Sequence, residues 1–178
     1  LMRETAAACR RMYFGKAIQL YTPLYISSNC INGCLYCDFN RDNSSPRKTL
    51  SISQIIDDAR VIKSMGIDSL LLVAGEDPKM ITVDFLEKVA IEMKKIFSYL
   101  SIEIAPQSEK DYRRLYQAGV DGLTLFQETF DRELYAELHP FGPKRDYDYR
   151  LEALQRGGAA GMRTIGMAFL LGLYDWRI

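Results

Sequence analysis

YTPLYISSNCINGCLYCDFN, residues 21–40, joins a run typical of a β-strand to a loop that carries three cysteines. The strand is predicted over Pro23–Ser28, and Cys30, Cys34 and Cys37 follow it in the spacing C-x3-C-x2-C. Three thiolates on one loop can hold a cubane iron–sulfur cluster and leave its fourth iron open to bind another molecule. The stretch therefore predicts a site for chemistry at the carboxyl end of the first strand.

Two other interpretations of the cysteines stay open at this point. The four cysteines of the chain could form disulfides, although a cytosolic chain disfavours them and a bridge between Cys34 and Cys37 would close a very small loop. The cysteines could also bind zinc, with His139 or Cys9 as the fourth ligand. Neither a second C-x2-C nor an H-x3-H accompanies the first pair, which weakens the zinc interpretation. Cys9 is interpreted as an ordinary helix residue.

Composition and charge exclude several classes of partner. The chain has 178 residues, of which 48% are apolar and 26% charged, and Lys plus Arg equal Asp plus Glu at 23 each. No positive excess is present to neutralise phosphates or anionic lipids, so nucleic acid and membrane surfaces are not expected partners. The apolar run Met167–Leu173 is too short for a membrane helix, and the N-terminal stretch lacks an apolar signal core. We expect a cytoplasmic chain, and the absence of polar tails suggests a fragment.

Helix, glycine and buried strand alternate along the chain. Residues 51–66 predict a helix with a Ser51–Gln54 capping box and a stop at Gly66, and SLLLVAGE then predicts a strand buried on both faces. The same order recurs twice, with helices that end at Gly119 and Gly161 and strands at Gly122–Phe126 and from Thr164. The remaining predicted elements are the helix Thr82–Phe97 and the strand Ser101–Ala105. About five parallel strands follow, in an α/β fold.

Polar residues at the strand ends favour a barrel over a doubly wound sheet. Neither G-x-G-x-x-G nor G-x-x-x-x-G-K-[ST] occurs, so the usual nucleotide folds lack their main support. Polar residues follow two predicted strands, at Gly75–Glu76 and Gln127–Glu128, and Glu103 lies within a third. In a β/α barrel the carboxyl ends of all strands lie on the same face, so these residues would lie close together. The sequence predicts an N-terminal helical segment over residues 1–20 and an incomplete (β/α) barrel over residues 21–178.

The cysteine loop resembles the defining motif of the radical S-adenosylmethionine (SAM) enzymes, C-x3-C-x-aromatic-C, with Tyr36 at the aromatic position. Further stretches resemble the 2-iminoacetate synthases, the tyrosine lyases of thiamine biosynthesis, and the resemblance spans almost the whole chain. These stretches are FGKAIQLYTPLYISSNC, LLLVAGE, IEIAP, AGVDGLTLFQET, LHPFGPKRDYDYRLEA and AGMRTIGMAFLLGLYDWR. The resemblance implies a partial TIM-like barrel of the radical SAM type, with a [4Fe–4S] cluster and SAM as cofactors.

The resemblance also implies roles for nine residues and a weaker role for a tenth. The three cysteines match the cluster ligands, and Tyr36 matches the aromatic residue beside the adenine of SAM. Gly75 and Glu76 match a GGE element that receives the methionine amino group, with Ala74 in place of its first glycine. Residues that fall where relatives contact the ribose, amino and carboxylate groups of SAM are Glu103, Glu128 and Arg150. Gln127 is a weaker candidate for contact with cofactor or substrate.

Structural roles compete with several of these assignments. The glutamates could be solvated or paired in the core, although Glu103 inside an apolar strand is costly without a partner. Arg150 could form a surface pair with Asp146 or Asp148. His139, the only histidine, is interpreted as a packed or capping residue and not as a base.

The implied reaction is cleavage of the Cα–Cβ bond of L-tyrosine to 2-iminoacetate (dehydroglycine) and 4-cresol, started by a 5′-deoxyadenosyl radical. The implied partners are reduced flavodoxin or ferredoxin as electron donor and thiazole synthase as a recipient of the product. Two alternatives stay open. The stretch HPFGPKRDYD also resembles the tyrosine lyase of [FeFe]-hydrogenase maturation. A zinc-stabilised binding module without catalysis is the other. YTPLYIS and the IEI strand favour the thiamine enzyme.

Overall fold

The computed structural model describes residues 2–173, whose centre is one sheet of five parallel strands. The strands are β1 Thr22–Ser27, β2 Ser69–Ala74, β3 Tyr99–Glu103, β4 Gly122–Thr124 and β5 Thr164–Gly166. They lie side by side in chain order. A doubly wound sheet reverses its strand order at a switch point, and no reversal occurs among the described residues. The predicted α/β partial barrel of five parallel strands is confirmed.

Seven α-helices and one 3-10 helix surround or precede this sheet in the described part of the chain. They are α1 Met2–Phe14, α2 Ile52–Ser64, α3 Val83–Lys94, α4 Glu109–Gln117, α5 Arg132–Leu138, the 3-10 helix Pro143–Arg145, α6 Tyr147–Leu151 and α7 Ala153–Ala159. The sequence patterns did not predict α5, and the helix expected before Gly161 is divided into α6 and α7. Strand β3 begins and ends two residues earlier than expected. Leu1 and residues 174–178, part of the predicted units 1–20 and 21–178, lie outside the described residues.

The helix boundaries follow the signals that the sequence contains. Ser51 and Gln54 form the expected capping box at the start of α2. The three predicted stop residues, Gly66, Gly119 and Gly161, have φ values of 84°, 108° and 112°. Only glycine adopts this left-handed conformation without a steric penalty, so each of these helices ends where its sequence requires.

The two faces of the sheet have different surroundings. Leu100 and Ile102 of β3 are buried in a core that also contains Ile55, Leu86 and Met93 from the helices. Side chains alternate between the faces of a strand, so Ser101 and Glu103 project to the opposite side. This alternation places a carboxylate on the side of the sheet away from the helices.

Strand β5 forms the edge of the sheet within the described residues. It pairs only with β4 there, and Ile165 at its centre is 40% exposed. Apolar side chains that follow it are also exposed: Met167, Phe169, Leu170 and Leu171. At the other end of the chain, α1 buries none of its side chains, and Cys9 lies exposed on it. No helix among residues 2–173 combines the length and apolar character needed to cross a bilayer.

Candidate functional site

One cavity of about 240 Å³ lies at the carboxyl ends of β1 to β4. All nine residues to which the sequence assigned roles line it: Cys30, Cys34, Tyr36, Cys37, Gly75, Glu76, Glu103, Glu128 and Arg150. Asn32 and Lys144 also line it, although the sequence patterns predicted a role for neither. Both lie inside stretches that carry the family resemblance, the cysteine loop and HPFGPKRDYD. Gln127 is buried but does not line the cavity, because its side-chain amide donates to the Tyr147 carbonyl at 3.4 Å.

The cysteine loop is held on one side by the end of β2. The Gly75 N–H donates to the Ser27 carbonyl at 3.0 Å, and the Ile31 N–H donates to the Glu76 carbonyl at 2.9 Å. A Cβ at position 75 would lie 2.3 Å from the carbonyl oxygen of Asn29. Glycine therefore permits a close approach between these two backbone segments, and this approach brings Glu76 beside the cysteines.

The segment after α5 holds the same loop from the other side. The Gly33 N–H donates to the Phe141 carbonyl and the Leu35 N–H to the Leu138 carbonyl, each at 3.0 Å. Gly142 has a φ of 93°, and a Cβ there would lie 2.3 Å from Oδ1 of Asn32. Backbone contacts from two distant parts of the chain thus fix the conformation of the cysteine loop.

The three thiols face the cavity from this loop. Cys34 is buried, whereas Cys30 and Cys37 are partly exposed. Burial raises the pKa of the Cys34 thiol, and the nearby Lys144 ammonium opposes that rise. The Lys144 ammonium offsets part of the rise, but burial has the larger effect on the pKa of Cys34. Among the described residues no group of three or more His, Cys, Asp and Glu side chains is close enough to hold a single metal ion.

The donor set fits a cubane cluster better than a single zinc ion. In a zinc site every thiolate sulfur lies about 2.3 Å from the same ion. A cubane binds each thiolate to a different iron, so its ligands stand further apart around a common cavity. Cys30, Cys34 and Cys37 share one cavity, and no fourth cysteine and no histidine lines it among the described residues.

A buried histidine holds the aromatic residue of the cysteine loop. The Tyr36 hydroxyl lies 2.6 Å from Nε2 of His139, and Nδ1 of His139 lies 2.7 Å from the Tyr135 carbonyl. A carbonyl only accepts, so Nδ1 carries the proton and Nε2 accepts from Tyr36. Burial lowers the pKa of His139 to about 4, which keeps the ring neutral at pH 7. His139 is also the C-cap residue of α5, in agreement with its interpretation as a packed or capping residue.

Replacement of Tyr36 by Phe should destabilise the protein by about 1–3 kcal/mol, because Nε2 of the fully buried His139 would lose its donor. Urea unfolding of the cluster-free protein measures this change. Tyr116→Phe is the matched control, since the Tyr116 ring is 40% exposed and its hydroxyl has no hydrogen bond among residues 2–173. Equal unfolding free energies for the two variants would contradict the assigned role of the Tyr36–His139 bond.

The three carboxylates of the cavity differ in their partners. Glu76 accepts a hydrogen bond of 2.7 Å from the Asn32 amide, and Glu128 pairs with Lys144 at 3.0 Å. The Glu103 carboxylate has no hydrogen bond or ion pair among the described residues. Burial, followed by repulsion from Glu128, raises the pKa of Glu103. Glu103 is therefore an acceptor without a protein partner, which is what a ligand hydroxyl or ammonium would need.

Arg150 is a buried residue and not a member of a surface pair. Its Nε and Nη2 donate to the Phe126 carbonyl at 2.9 and 2.8 Å, and only 8% of the residue is exposed. Asp148 pairs with Arg132, and Asp146 caps α6. The surface-pair alternative is therefore wrong, and Nη1 of Arg150 keeps its donors for the cavity.

Comparisons with known proteins agree with this site. A family model described as the radical SAM superfamily matches residues 24–178. The chain is 38% identical to the 2-iminoacetate synthase of Escherichia coli K12 over 99% of its length, and 37% identical to that of Salmonella typhimurium LT2 over 98%. It covers 47% of each of these proteins, so it spans about half the length of the curated relatives it matches.

Two solved structures of HydG, a maturase of the [FeFe]-hydrogenase, are also similar. One superposes with a TM-score of 0.93 at 32% identity and covers 99% of this chain and 40% of that one. The second, from Carboxydothermus hydrogenoformans, has a TM-score of 0.89 at 37% identity and covers 97% of this chain and 41% of that one.

Proposed function

The chain belongs to the radical SAM superfamily, and from this premise we propose that it cleaves the Cα–Cβ bond of L-tyrosine. The products would be 2-iminoacetate, which supplies the thiazole moiety of thiamine, and 4-cresol. The observation that supports the proposal most directly is the cavity, which brings all nine residues assigned by resemblance together. The identity of 38% to a 2-iminoacetate synthase supports the choice of substrate.

Members of the superfamily use a [4Fe–4S] cluster and SAM. When bound, these cofactors supply the radical that starts the reaction. Cys30, Cys34 and Cys37 would hold the cluster, and no fourth protein ligand faces them among the described residues. The face of the cluster toward the cavity would therefore stay open for SAM.

The remaining cavity residues would bind and orient SAM. Oε2 of Glu76 is occupied by Asn32, and Oε1 would accept from the methionine ammonium. Arg150 has free donors on Nη1 that suit the methionine carboxylate. The unpartnered Glu103 and the Lys144-bound Glu128 would accept from the ribose hydroxyls and the amino group. Tyr36 would stack near the adenine, held by His139.

Maturation of [FeFe]-hydrogenase is the second candidate, and the HydG structures favour it specifically. Sequence identity does not distinguish the two candidate functions, since the chain is 38% identical to a 2-iminoacetate synthase and 37% identical to one HydG. The two candidates share the residues described above, and we propose tyrosine as the substrate in both. The zinc-stabilised binding module is disfavoured, because the chain belongs to a superfamily of enzymes that use a [4Fe–4S] cluster.

The complete protein, reduced and supplied with SAM and L-tyrosine without oxygen, should release 5′-deoxyadenosine, 4-cresol and glyoxylate, the hydrolysis product of 2-iminoacetate. Chromatography and mass spectrometry measure all three. Carbon monoxide and cyanide among the products would replace the thiamine assignment with hydrogenase maturation. Unchanged tyrosine, together with cleavage of a different amino acid, would contradict the proposed substrate.

Two partners complete the proposal. Reduced flavodoxin or ferredoxin would supply the electrons, one for the cleavage of SAM and one for the reduction of the phenolic fragment to 4-cresol. Thiazole synthase would consume the 2-iminoacetate. Such a chain would act in the cytoplasm, where reduced thiols and low-potential electron donors are available.

A further inference from the structure

Asn32 is a buried polar residue inside the cysteine loop, between Cys30 and Cys34. Only 2% of its surface is exposed, yet it lines the cavity. A buried amide is costly unless its donors and its acceptor all find partners, so its contacts indicate what the site requires at this position.

The Asn32 side chain uses its hydrogen-bonding capacity on three different segments. Its amide nitrogen Nδ2 donates to Oε2 of Glu76 at 2.7 Å and lies 3.6 Å from Sγ of Cys30, within range of an N–H···S hydrogen bond. Its Oδ1 accepts from the backbone N–H of Lys144 at 2.9 Å. Among side chains as short as this one, only an amide can donate two hydrogen bonds and accept a third. Aspartate would keep the acceptor and lose both donors.

Each donated bond has a separate consequence. The bond to Oε2 fixes the rotation of the Glu76 carboxylate and leaves Oε1 without a hydrogen-bond partner among the described residues. The contact with Sγ places a partial positive charge beside a cluster ligand. Hydrogen bonds to cluster sulfurs stabilise the more negative, reduced form and so raise the reduction potential.

We propose that Asn32 is a positioning residue that links the cluster to the binding site for the SAM ammonium. One amide orients the Glu76 carboxylate toward the cofactor and sets the electrostatic potential at the Cys30 sulfur. This inference rests on the proposed binding of a cluster and SAM, but not on tyrosine as the substrate. The two functions are coupled because both N–H groups belong to the same planar amide.

Asn32→Asp is the primary test, because it preserves shape and the acceptor for Lys144 but removes both donors. In the reconstituted complete protein, we expect SAM to bind about tenfold or more weakly and the midpoint potential of the cluster to become more negative. Equilibrium binding of SAM and a redox titration followed by electron paramagnetic resonance measure the two effects. Neither measurement requires turnover of tyrosine, so a wrong substrate would leave both expected results intact.

Asn29→Asp is the matched control for the added charge. Asn29 lies beside Cys30 in the chain, but its side-chain amide donates to Thr49 Oγ1 and forms no hydrogen bond with Glu76 or the Cys30 sulfur among the described residues. We expect a smaller change in both measurements for this variant. Equal effects of the two substitutions would overturn the proposal, because charge alone would then explain them.

Asn32→Ala removes the amide without adding charge and should shift both quantities in the same direction as Asn32→Asp. An unchanged potential and SAM affinity in Asn32→Ala would overturn the proposal. A failure of both Asn32 variants to bind iron, while Asn29→Asp binds it normally, would also overturn it, since Asn32 would then act only in forming the loop. Absence of a cluster in the unsubstituted protein would instead contradict the proposed function.

Discussion

Replacement of Cys34 by Ala is expected to reduce the iron bound after anaerobic reconstitution to background. Cys34 is buried, and with Cys30 and Cys37 it supplies the only thiolates of the cavity among residues 2–173. A cubane that has one open iron already depends on all three protein ligands, so the loss of one leaves two irons without a protein ligand. Iron and sulfide analysis, together with the visible absorption of the cluster, measures this result. Ala at Cys30 or Cys37 should have the same effect.

Cys9→Ala is the control for this experiment. Cys9 lies exposed on α1, whose side chains are all outside the core, so its substitution should leave the iron content unchanged. Iron retained at the unsubstituted level in Cys34→Ala would contradict the assignment of the cluster ligands. A dependence on Cys9 equal to that on Cys34 would revive the zinc interpretation, in which Cys9 was a candidate fourth ligand.

Gly75→Ala should displace the cysteine loop and abolish binding of SAM. The added Cβ would lie 2.3 Å from the carbonyl oxygen of Asn29 and 3.0 Å from Cβ of Cys30. These neighbours belong to the backbone and to the start of a side chain, so they cannot move away without separating the loop from β2. We expect the free energy of unfolding to fall by about 1–3 kcal/mol or more, as in overpacked cores. Urea unfolding and equilibrium binding of SAM measure the two effects.

Gly158→Ala is the matched control for the added methyl group. Gly158 lies near the end of α7, and no atom lies within 4 Å of a Cβ built there. Alanine in a helix is favoured over glycine by roughly 0.5–1 kcal/mol, so this variant should be as stable as the unsubstituted protein or more stable. If Gly75→Ala unfolds like Gly158→Ala and binds SAM normally, the close contact does not constrain the loop.

The fold class was predictable because its signals are local. A helix ends where its glycine takes a positive φ, as at Gly66, and a strand buried on both faces has a continuous apolar run, as in β2. The exact extents were less predictable. Strand β4 is limited to Gly122–Thr124, although the apolar run continues to Phe126, because the continuous ladder with β5 ends at Thr124 and pairing resumes only at Glu128, opposite Phe169. Helix α5 was missed, because its seven residues are too few to show a clear apolar period.

The candidate site was predictable as a set of residues but not as a set of contacts. The cysteine loop and the strand-end carboxylates could be assigned from their positions in the chain, since parallel strands place their carboxyl ends together. The hydrogen-bond partner of each side chain could not be assigned in this way. Arg150, for example, was weighed against a surface pair with neighbouring aspartates, but its guanidinium binds the backbone at Phe126.

The sequence by itself determined the cysteine spacing, the alternation of strands and helices, and the positions of polar residues at the strand ends. The tertiary structure decided which groups meet. Asn32 contacts Glu76, 44 positions away, and the backbone of Lys144, 112 positions away, while Tyr36 and His139 are separated by 103 positions. Side-chain periodicity extends over a few residues only, so no local pattern encodes such pairs. They form because the parallel strands bring distant loops to one edge of the sheet, where buried polar groups must find partners.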